Sequence, residues 1–331
     1  LMGIRVGING FGRIGRGLMR VLKNYPQIEV VAINDIAEKE TLVHLLKYDS
    51  VHRAFPGDVK TNESGFSIDG KDIFVFNHSD ASSIEWDSLN VEIVIEATGS
   101  IKSKVKAAAH MKPGVKKVII SAPAEDDIPM VVLGVNEAIL DYKPSIISNA
   151  SCTTNSAAPM IKIINELCDV ENAYITTIHS YTTDQRIHDA PHKDLRRARA
   201  AALSIVPTTT GAAKAVTRIF PELTQKIGGC GIRVPVPDGS LTDITFNVKQ
   251  KTSVREVNQA FKSASEGNLK GIVGYTNDPI VSSDVIGMPY SVLYDEQLTS
   301  VIGNMVKVVG WYDNEIGYSY RIADLILKIS E

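Results

Sequence analysis

The feature that most constrains this chain lies near its start. A short, apolar, β-branched run, Ile4 to Asn9, breaks into Gly10-Phe11-Gly12-Arg13-Ile14-Gly15 and resumes as a helical pattern with Ile14, Leu18, Val21 and Leu22 on one face. A G-x-G-x-x-G between a strand and a helix needs a tight turn at the first glycine. The second lets the backbone approach a pyrophosphate, and the third lets the helix lie close against the sheet. The helix then presents its N-terminal N–H groups and partial positive charge to an anion. A second strand, Glu29 to Asn34, ends at Asp35, roughly 20 residues after Gly15, where a carboxylate accepts from ribose hydroxyls and repels a 2′-phosphate. The pattern predicts a dinucleotide site and favours NAD over NADP.

The rest of the first half continues the alternation. Thr41 to Leu46 reads as helical, and residues 60–76 read as a hairpin turning at Asp69-Gly70. Val91 to Ala97, Lys117 to Ser121 and Ser145 to Ser148 read as further buried strands. Near-continuous apolar strands alternating with helices predict an α/β fold, a Rossmann-type doubly wound parallel sheet over residues 1–150. Past residue 150 a helix is predicted from Thr153 to Leu167. It is followed by longer amphipathic strands at Ala173 to His179, Leu241 to Lys249, Ser291 to Leu298 and Met305 to Trp311. They predict an α+β catalytic domain over 151–315 with a mostly antiparallel sheet. The stretch Thr182 to Thr210 is dense in Arg, Asp, His and Thr, and a loop of that length is usually functional. Residues 316–331 are expected to form a C-terminal helix packing back on the first domain.

Composition enters by what it excludes. The chain has 331 residues with a formal net charge of −3, 44% hydrophobic and 22% charged residues, which does not suit a general nucleic-acid or membrane surface. Three cysteines without CxxC spacing argue against a disulfide framework or a metal site. No apolar run approaches the roughly 20 residues of a membrane span. The opening residues lead directly into a strand pattern rather than a signal-peptide layout, so a cytoplasmic location is expected.

The candidate nucleophile is Cys152 in Ser151-Cys152-Thr153-Thr154-Asn155, placed where the last strand of the first half opens a helix. A helix N-terminus stabilises a thiolate, so a lowered thiol pKa is expected there. Cys168 falls on an apolar helix face and Cys230 in a Gly-rich turn, so both read as structural. A cysteine nucleophile needs a base. Seven histidines are present, and His179 stands out only by ending a strand. Ser151, Thr153, Thr210 and Gly211 are candidates for one anion pocket, and Thr182, Arg197 and Arg233 for another; from the residues alone, ordinary loop residues and solvated charges are the better explanation of both sets.

Taken together, INGFGRIGR near the start, SNASCTTN at 148–155, TTIHSYT at 176–182, PHKDLRRARAA at 191–201, PTTTGAAKAV at 207–216 and WYDNEIGYSYR at 311–321 resemble the glyceraldehyde-3-phosphate dehydrogenase family across essentially the whole chain. The resemblance implies a phosphorylating, NAD-dependent enzyme. Cys152 would attack the aldehyde, His179 would act as base, and a Cys152 thioester would yield 1,3-bisphosphoglycerate when phosphate attacks. Thr182, Arg197 and Arg233 would then bind the substrate's phosphate, and Ser151, Thr153, Thr210 and Gly211 the attacking phosphate, with Arg233 able to serve both. Gly10, Phe11, Gly12, Arg13, Ile14, Asn34, Asp35, Thr98, Gly99, Ser121, Asn314 and Tyr318 would form the NAD site. A homotetramer, with the arginine-rich loop at a subunit interface, is also implied. This chain departs from the family pattern at Ser156, where a second cysteine is common, and at Ile101, where the family has an aromatic residue. It departs again at Ala190, which leaves some use of NADP open. The alternatives are an erythrose-4-phosphate dehydrogenase, built on the same scaffold but releasing an acid, and a non-catalytic NAD-binding interaction protein.

Overall fold

The computed structural model describes residues 3–330; the ends of the expected first domain at Leu1 and Met2, and of the terminal helix at Glu331, lie outside them. The chain divides into two compact units, one formed by residues up to 131, 138–150 and 319 onward, the other by 132–137 and 151–318.

The first unit begins with β1 (Ile4–Asn9), α1 (Arg13–Leu22), β2 (Ile28–Asn34) and α2 (Lys39–Lys47). It continues through β3 (Val59–Thr61), β4 (Gly65–Ile68), β5 (Lys71–Phe76), β6 (Ile93–Glu96), β7 (Lys117–Ile120) and β8 (Ile146–Ser148). The eight strands run β8-β7-β6-β1-β2-β5-β4-β3. The five pairs from β8 to β5 are parallel, and β3 and β4 close the edge antiparallel. The order reverses at β1, so the loops after β1, β2 and β6 open on the crevice at a topological switch point. Ile8, Val94, Ile95, Ile119 and Ile120 are fully buried, as strands covered on both faces require. The hairpin turns at Asp69 (φ 52°) and Gly70 (φ 82°), the left-handed pair that matches strand twist. On the C-terminal helix, Tyr320 and Asp324 meet the end of α1: Asn24 Nδ2 donates to Tyr320 Oη at 3.0 Å and Tyr25 Oη to Asp324 at 2.6 Å.

The second unit opens with α3 (Cys152–Cys168), β9 (Val170–Ser180), β10 (Val206–Thr208), α4 (Ala212–Ile219) and β11 (Ile227–Val234). Then come β12 (Ser240–Val248), α5 (Val254–Glu266), β13 (Val273–Thr276), β14 (Val292–Asp295), β15 (Ser300–Ile302), β16 (Met305–Tyr312) and α6 (Ile316–Lys328), whose last residues belong to the first unit. Its sheet runs β10-β11-β9-β12-β16-β14-β13, with β15 against β16. Most pairs are antiparallel, but β13 and β14 are parallel, as are β9 and β11, whose register sets His179 beside Arg233. Helix α3 packs on both the sheet and α4.

Two expectations are corrected here. Cys230 lies not in a turn but in mid-strand on β11, opposite Thr176. Gly228, Gly229 and Gly231 hide that strand from a propensity reading, yet a Cβ at Gly229 would meet Ile175 O at 2.9 Å, so the glycine permits the close pairing. The strand expected to run to Leu298 stops at Asp295. There the Asp295 carboxylate accepts from Gln297 N at 3.1 Å and caps a short 3-10 turn.

Candidate active site

Cys152 is the first residue of α3. Ser151 is its N-cap: the hydroxyl accepts from Thr154 N at 3.1 Å and pairs with Thr154 Oγ1 at 2.7 Å. Thr153 Oγ1 lies 3.0 Å from Tyr312 Oη, which also meets Thr177 Oγ1 at 3.0 Å, tying the helix start to β16 and β9. Ser156, at the second-cysteine position, is buried and pairs with Thr242 Oγ1 at 2.9 Å, so the departure there is absorbed by a hydrogen bond.

His179, near the end of β9, is buried, and its Nε2 lies 3.5 Å from Cys152 Sγ. Its Nδ1 lies 2.7 Å from Ser180 O. A carbonyl only accepts and a guanidinium only donates, and Nδ1 faces both Ser180 O and Arg233 Nη1; in the tautomer protonated on Nδ1, Nε2 turns its lone pair to the sulfur. Arg233 Nη1 donates to Ser180 O at 2.9 Å and stands 2.6 Å from Nδ1. Burial and the Arg233 charge push the imidazole down to about 3. Burial pushes the Cys152 thiol up, opposed by the Arg233 charge and by Thr153 hydrogen bonds. The thiol was expected to be lowered; the net shift is upward, with burial the largest cause. Cys152 as a whole residue is half-buried.

The candidate anion groups form a second cluster. Arg197 donates to Thr208 Oγ1 at 2.9 Å and Thr209 O at 3.4 Å and forms an ion pair with Asp184, which also accepts from Thr182 Oγ1. Thr210 Oγ1 accepts from Ala212 N at 3.2 Å, and Gly211 is the N-cap of α4. Asp184 joins Thr182 to Arg197, and Asp194 pairs with Arg197 and accepts from Thr208 Oγ1 at 3.1 Å, while Thr210 and Gly211 follow Thr209 in the chain. Those two carboxylates were not singled out in the sequence, since a loop Asp looks the same whether solvated or paired. Tyr312 was missed too. Only its place at the end of a strand carrying polar residues on the covered face could have indicated it. Asn314 is buried and its Oδ1 accepts from Ser180 Oγ at 2.9 Å and Ser240 Oγ at 2.7 Å, which orients the amide. Tyr318 is buried on α6.

In the first unit a cleft of about 510 Å³ is lined by Asn9, Gly10, Gly12, Asn34, Asp35 and Thr98, among others. That is ample for part of a nucleotide. Gly10 has φ +93°, and a Cβ there would meet Thr98 N at 2.7 Å. A Cβ at Gly12 would meet nothing within 4 Å, and Gly12 heads α1 with no side chain to cap it. The space and the helix terminus fit a pyrophosphate. Asp35 Oδ2 accepts from Phe11 N at 2.8 Å, so the carboxylate also braces the glycine loop. Phe11 is fully buried against Phe66, and Ile14 lies half-buried in the first turn of α1. Arg13 is held by Asp49. Burial would raise that carboxyl, but hydrogen bonds from His52 N, Arg13 and Val51 N bring it to about 2. Gly99 adopts φ 72°, and Ser121 N donates to Glu96 O at 2.9 Å.

Two family models match the chain: glyceraldehyde 3-phosphate dehydrogenase, NAD binding domain, over residues 4–104, and the C-terminal domain of the same enzyme over 151–314. The glyceraldehyde-3-phosphate dehydrogenase of Thermotoga maritima is 54% identical over 331 residues, covering 98% of this chain and 99% of the relative. That of Geobacillus stearothermophilus is 50% identical, covering 99% of each chain. Glyceraldehyde-3-phosphate dehydrogenase 2 of Streptomyces avermitilis is 52% identical, again covering 99% of each. With a strand–glycine–helix crevice in one unit and a cysteine–histidine pair in the other, the chain belongs to the glyceraldehyde-3-phosphate dehydrogenase family and is an NAD-dependent oxidoreductase of glycolysis.

Proposed function

We propose that Cys152 and His179 convert D-glyceraldehyde 3-phosphate and inorganic phosphate into 1,3-bisphosphoglycerate. The observation that carries the reading is the 3.5 Å approach of His179 Nε2 to Cys152 Sγ, with Nδ1 fixed by Ser180 O. The sulfur bonds to the aldehyde carbon as its proton moves to Nε2, and Nε2 passes that proton to the former carbonyl oxygen, giving a thiohemiacetal and returning His179 to its neutral form. When NAD is bound it supplies the hydride acceptor. His179 takes the hydroxyl proton as the C–H electron pair leaves, and the carbon becomes a thioester. A phosphate oxygen then attacks that carbon, the C–S bond breaks, and the cysteine is regenerated with the acyl phosphate released.

Thr182, Arg197 and Arg233 hold the substrate's phosphate, and Ser151, Thr153, Thr210 and Gly211 receive the attacking one. The half-buried guanidinium of Arg197, oriented by its Nε bond to Thr208 Oγ1, suits bidentate recognition of phosphate oxygens. Gly10, Phe11, Gly12, Arg13, Ile14, Asn34, Asp35, Thr98, Gly99 and Ser121 of the first unit serve NAD, together with Asn314 and Tyr318 of the second. Residues 1–150 form the NAD-binding domain, 151–315 the catalytic domain, and 316–331 a helix returning to the first. The enzyme acts in the cytoplasm as a homotetramer. Exposed Ile187, Leu195, Leu203 and Ile205 on the arginine-rich loop suit burial against another copy. Among the described residues no helix is long and apolar enough to cross a membrane. The deciding experiment follows NADH production from glyceraldehyde 3-phosphate. It should require phosphate or arsenate and vanish in Cys152→Ala, whose NAD binding persists. Equal rates without phosphate would exclude attack by phosphate on the thioester and favour an acid-releasing enzyme.

A further inference from the structure

Beside the nucleotide cleft lies a chain of buried polar groups with no role in the chemistry above. Glu96, the last residue of β6, is 1% exposed, and His110 and Trp86 are fully buried. Trp86 Nε1 donates to His110 Nδ1 at 3.1 Å, and His110 Nε2 lies 3.0 Å from Glu96 Oε2. An indole N–H only donates, so Nδ1 accepts, and the ring proton sits on Nε2, directed at the carboxylate. Glu96 Oε2 also accepts from Asn9 Nδ2 at 2.6 Å, while Oε1 accepts from Thr98 N at 2.8 Å and from Thr98 Oγ1. Asn9 Oδ1 in turn accepts from Asn34 Nδ2 at 2.7 Å. The main chain of His78 fixes Asn34 from both sides: Asn34 Nδ2 donates to His78 O and His78 N to Asn34 Oδ1, each at 2.9 Å.

We propose that Glu96 is a positioning residue for the dinucleotide. Its carboxylate sets the amide of Asn9, the backbone of Thr98 and, through Asn9, the amide of Asn34, and all three of these residues line the cleft. The proposal rests on the reading of that cleft as the NAD site. The chain of bonds has a direction that cannot reverse: Trp86 Nε1 and Thr98 N cannot accept, and His78 prevents Asn34 from turning over. Only an acceptor-only group satisfies the donors converging on position 96. An amide there must oppose an N–H to Thr98 N on one side, or to Asn9 and His110 on the other. Turning Asn9 over to accommodate it would set that amide against the Asn34 donor. A buried polar network with one such mismatch shifts the groups it was holding.

The test compares wild type with Glu96→Gln, using ADP-ribose as a probe that carries the adenine half of the cofactor without its reactive ring. Titration calorimetry should show ADP-ribose binding weakened about tenfold, the scale of one mispaired buried donor. KM for NAD should rise in parallel, with kcat at saturating NAD and KM for the aldehyde nearly unchanged. A purely structural role would instead lower the melting temperature and leave the Kd of the folded fraction at the wild-type value, which overturns the proposal. If Glu96→Gln does not fold, His110→Leu removes one donor from the carboxylate while touching no part of the cleft. It should weaken ADP-ribose several-fold, and an unchanged Kd again overturns the proposal. Wild type failing to bind ADP-ribose would instead remove the NAD-site reading beneath it.

Discussion

Substituting alanine at the glycines of the first turn separates two reasons for having them. At Gly15 the added Cβ would stand 2.3 Å from Gly10 O and 3.5 Å from Ile8 Cγ2. Carbon–heavy-atom contacts settle near 3.5 Å, so α1 must move off β1 by about 1 Å. The obstacle is a backbone carbonyl, which cannot swing aside as a side chain can. Overpacking of this kind destabilises by about 1–3 kcal/mol, and a backbone-to-backbone clash belongs at the upper end. Alanine returns about 1 kcal/mol of helix propensity inside α1, leaving a net loss of about 2 kcal/mol. For a unit of this size that is a fall of about 4–8 °C in melting temperature. Gly12 is the opposite case: no atom lies within 4 Å of its Cβ position, and its φ of −74° suits alanine. Gly12→Ala should melt within about 2 °C of wild type, since only a weak N-cap preference changes, yet bind NAD far more weakly because its methyl occupies the space the fold leaves open. Differential scanning fluorimetry with and without NAD reads both effects. A Gly15→Ala protein as stable as wild type, or a Gly12→Ala protein with unchanged NAD affinity, would refute the reasoning.

Three further outcomes are expected. His179→Asn, which removes the base while keeping a polar side chain, should slow aldehyde oxidation by a factor of about 10²–10⁴ with NAD affinity intact, as read by stopped-flow at saturating substrate. Burial and the neighbouring Asp313 and Glu315 carboxylates raise Asp238 to about 9. A raised carboxyl gives stability that is complete below the unfolded value of about 4 and is lost as pH climbs through the folded value. Thermal melts should therefore fall between pH 5 and 9 more steeply in wild type than in Asp238→Asn, and parallel curves would contradict the assignment. Asp184→Asn breaks the ion pair that holds Arg197. It should raise KM for the phosphorylated aldehyde or for phosphate by several-fold while leaving NAD binding alone, and steady-state kinetics with each varied separately will tell which.

Much of the nucleotide half was legible in the chain because its signals are local. The glycine spacing, the apolar strand Ile4–Asn9 and the turn at Asp69-Gly70 each need only a few consecutive residues, and the structure reproduces them. Cys152 at the head of α3 was legible for the same reason. What was not legible depends on partners distant in sequence. His179 looked like any of seven histidines until β9 and α3 brought it to the sulfur. The direction of the thiol's shift could not be read either. A helix N-terminus is written in the sequence, whereas the burial that raises the thiol is made by side chains from other elements. The strand at Ile227–Val234 was hidden because glycine lowers β propensity at the same positions where a neighbouring backbone requires it.

The parallel ladder between β9 and β11 runs from Ala173 opposite Ile227 to Ser180 opposite Val234, with histidine and arginine matched one step before its end. In a strand, neighbouring side chains point to opposite faces, so a slip of one residue would exchange that arginine for Ile232 or Val234 and turn the guanidinium away. Chemical competence in this unit is thus a direct gauge of strand alignment. A molecule that has collapsed and acquired its helices, but paired these two segments one place out, would be compact, native-like in helix content by spectroscopy, and inert.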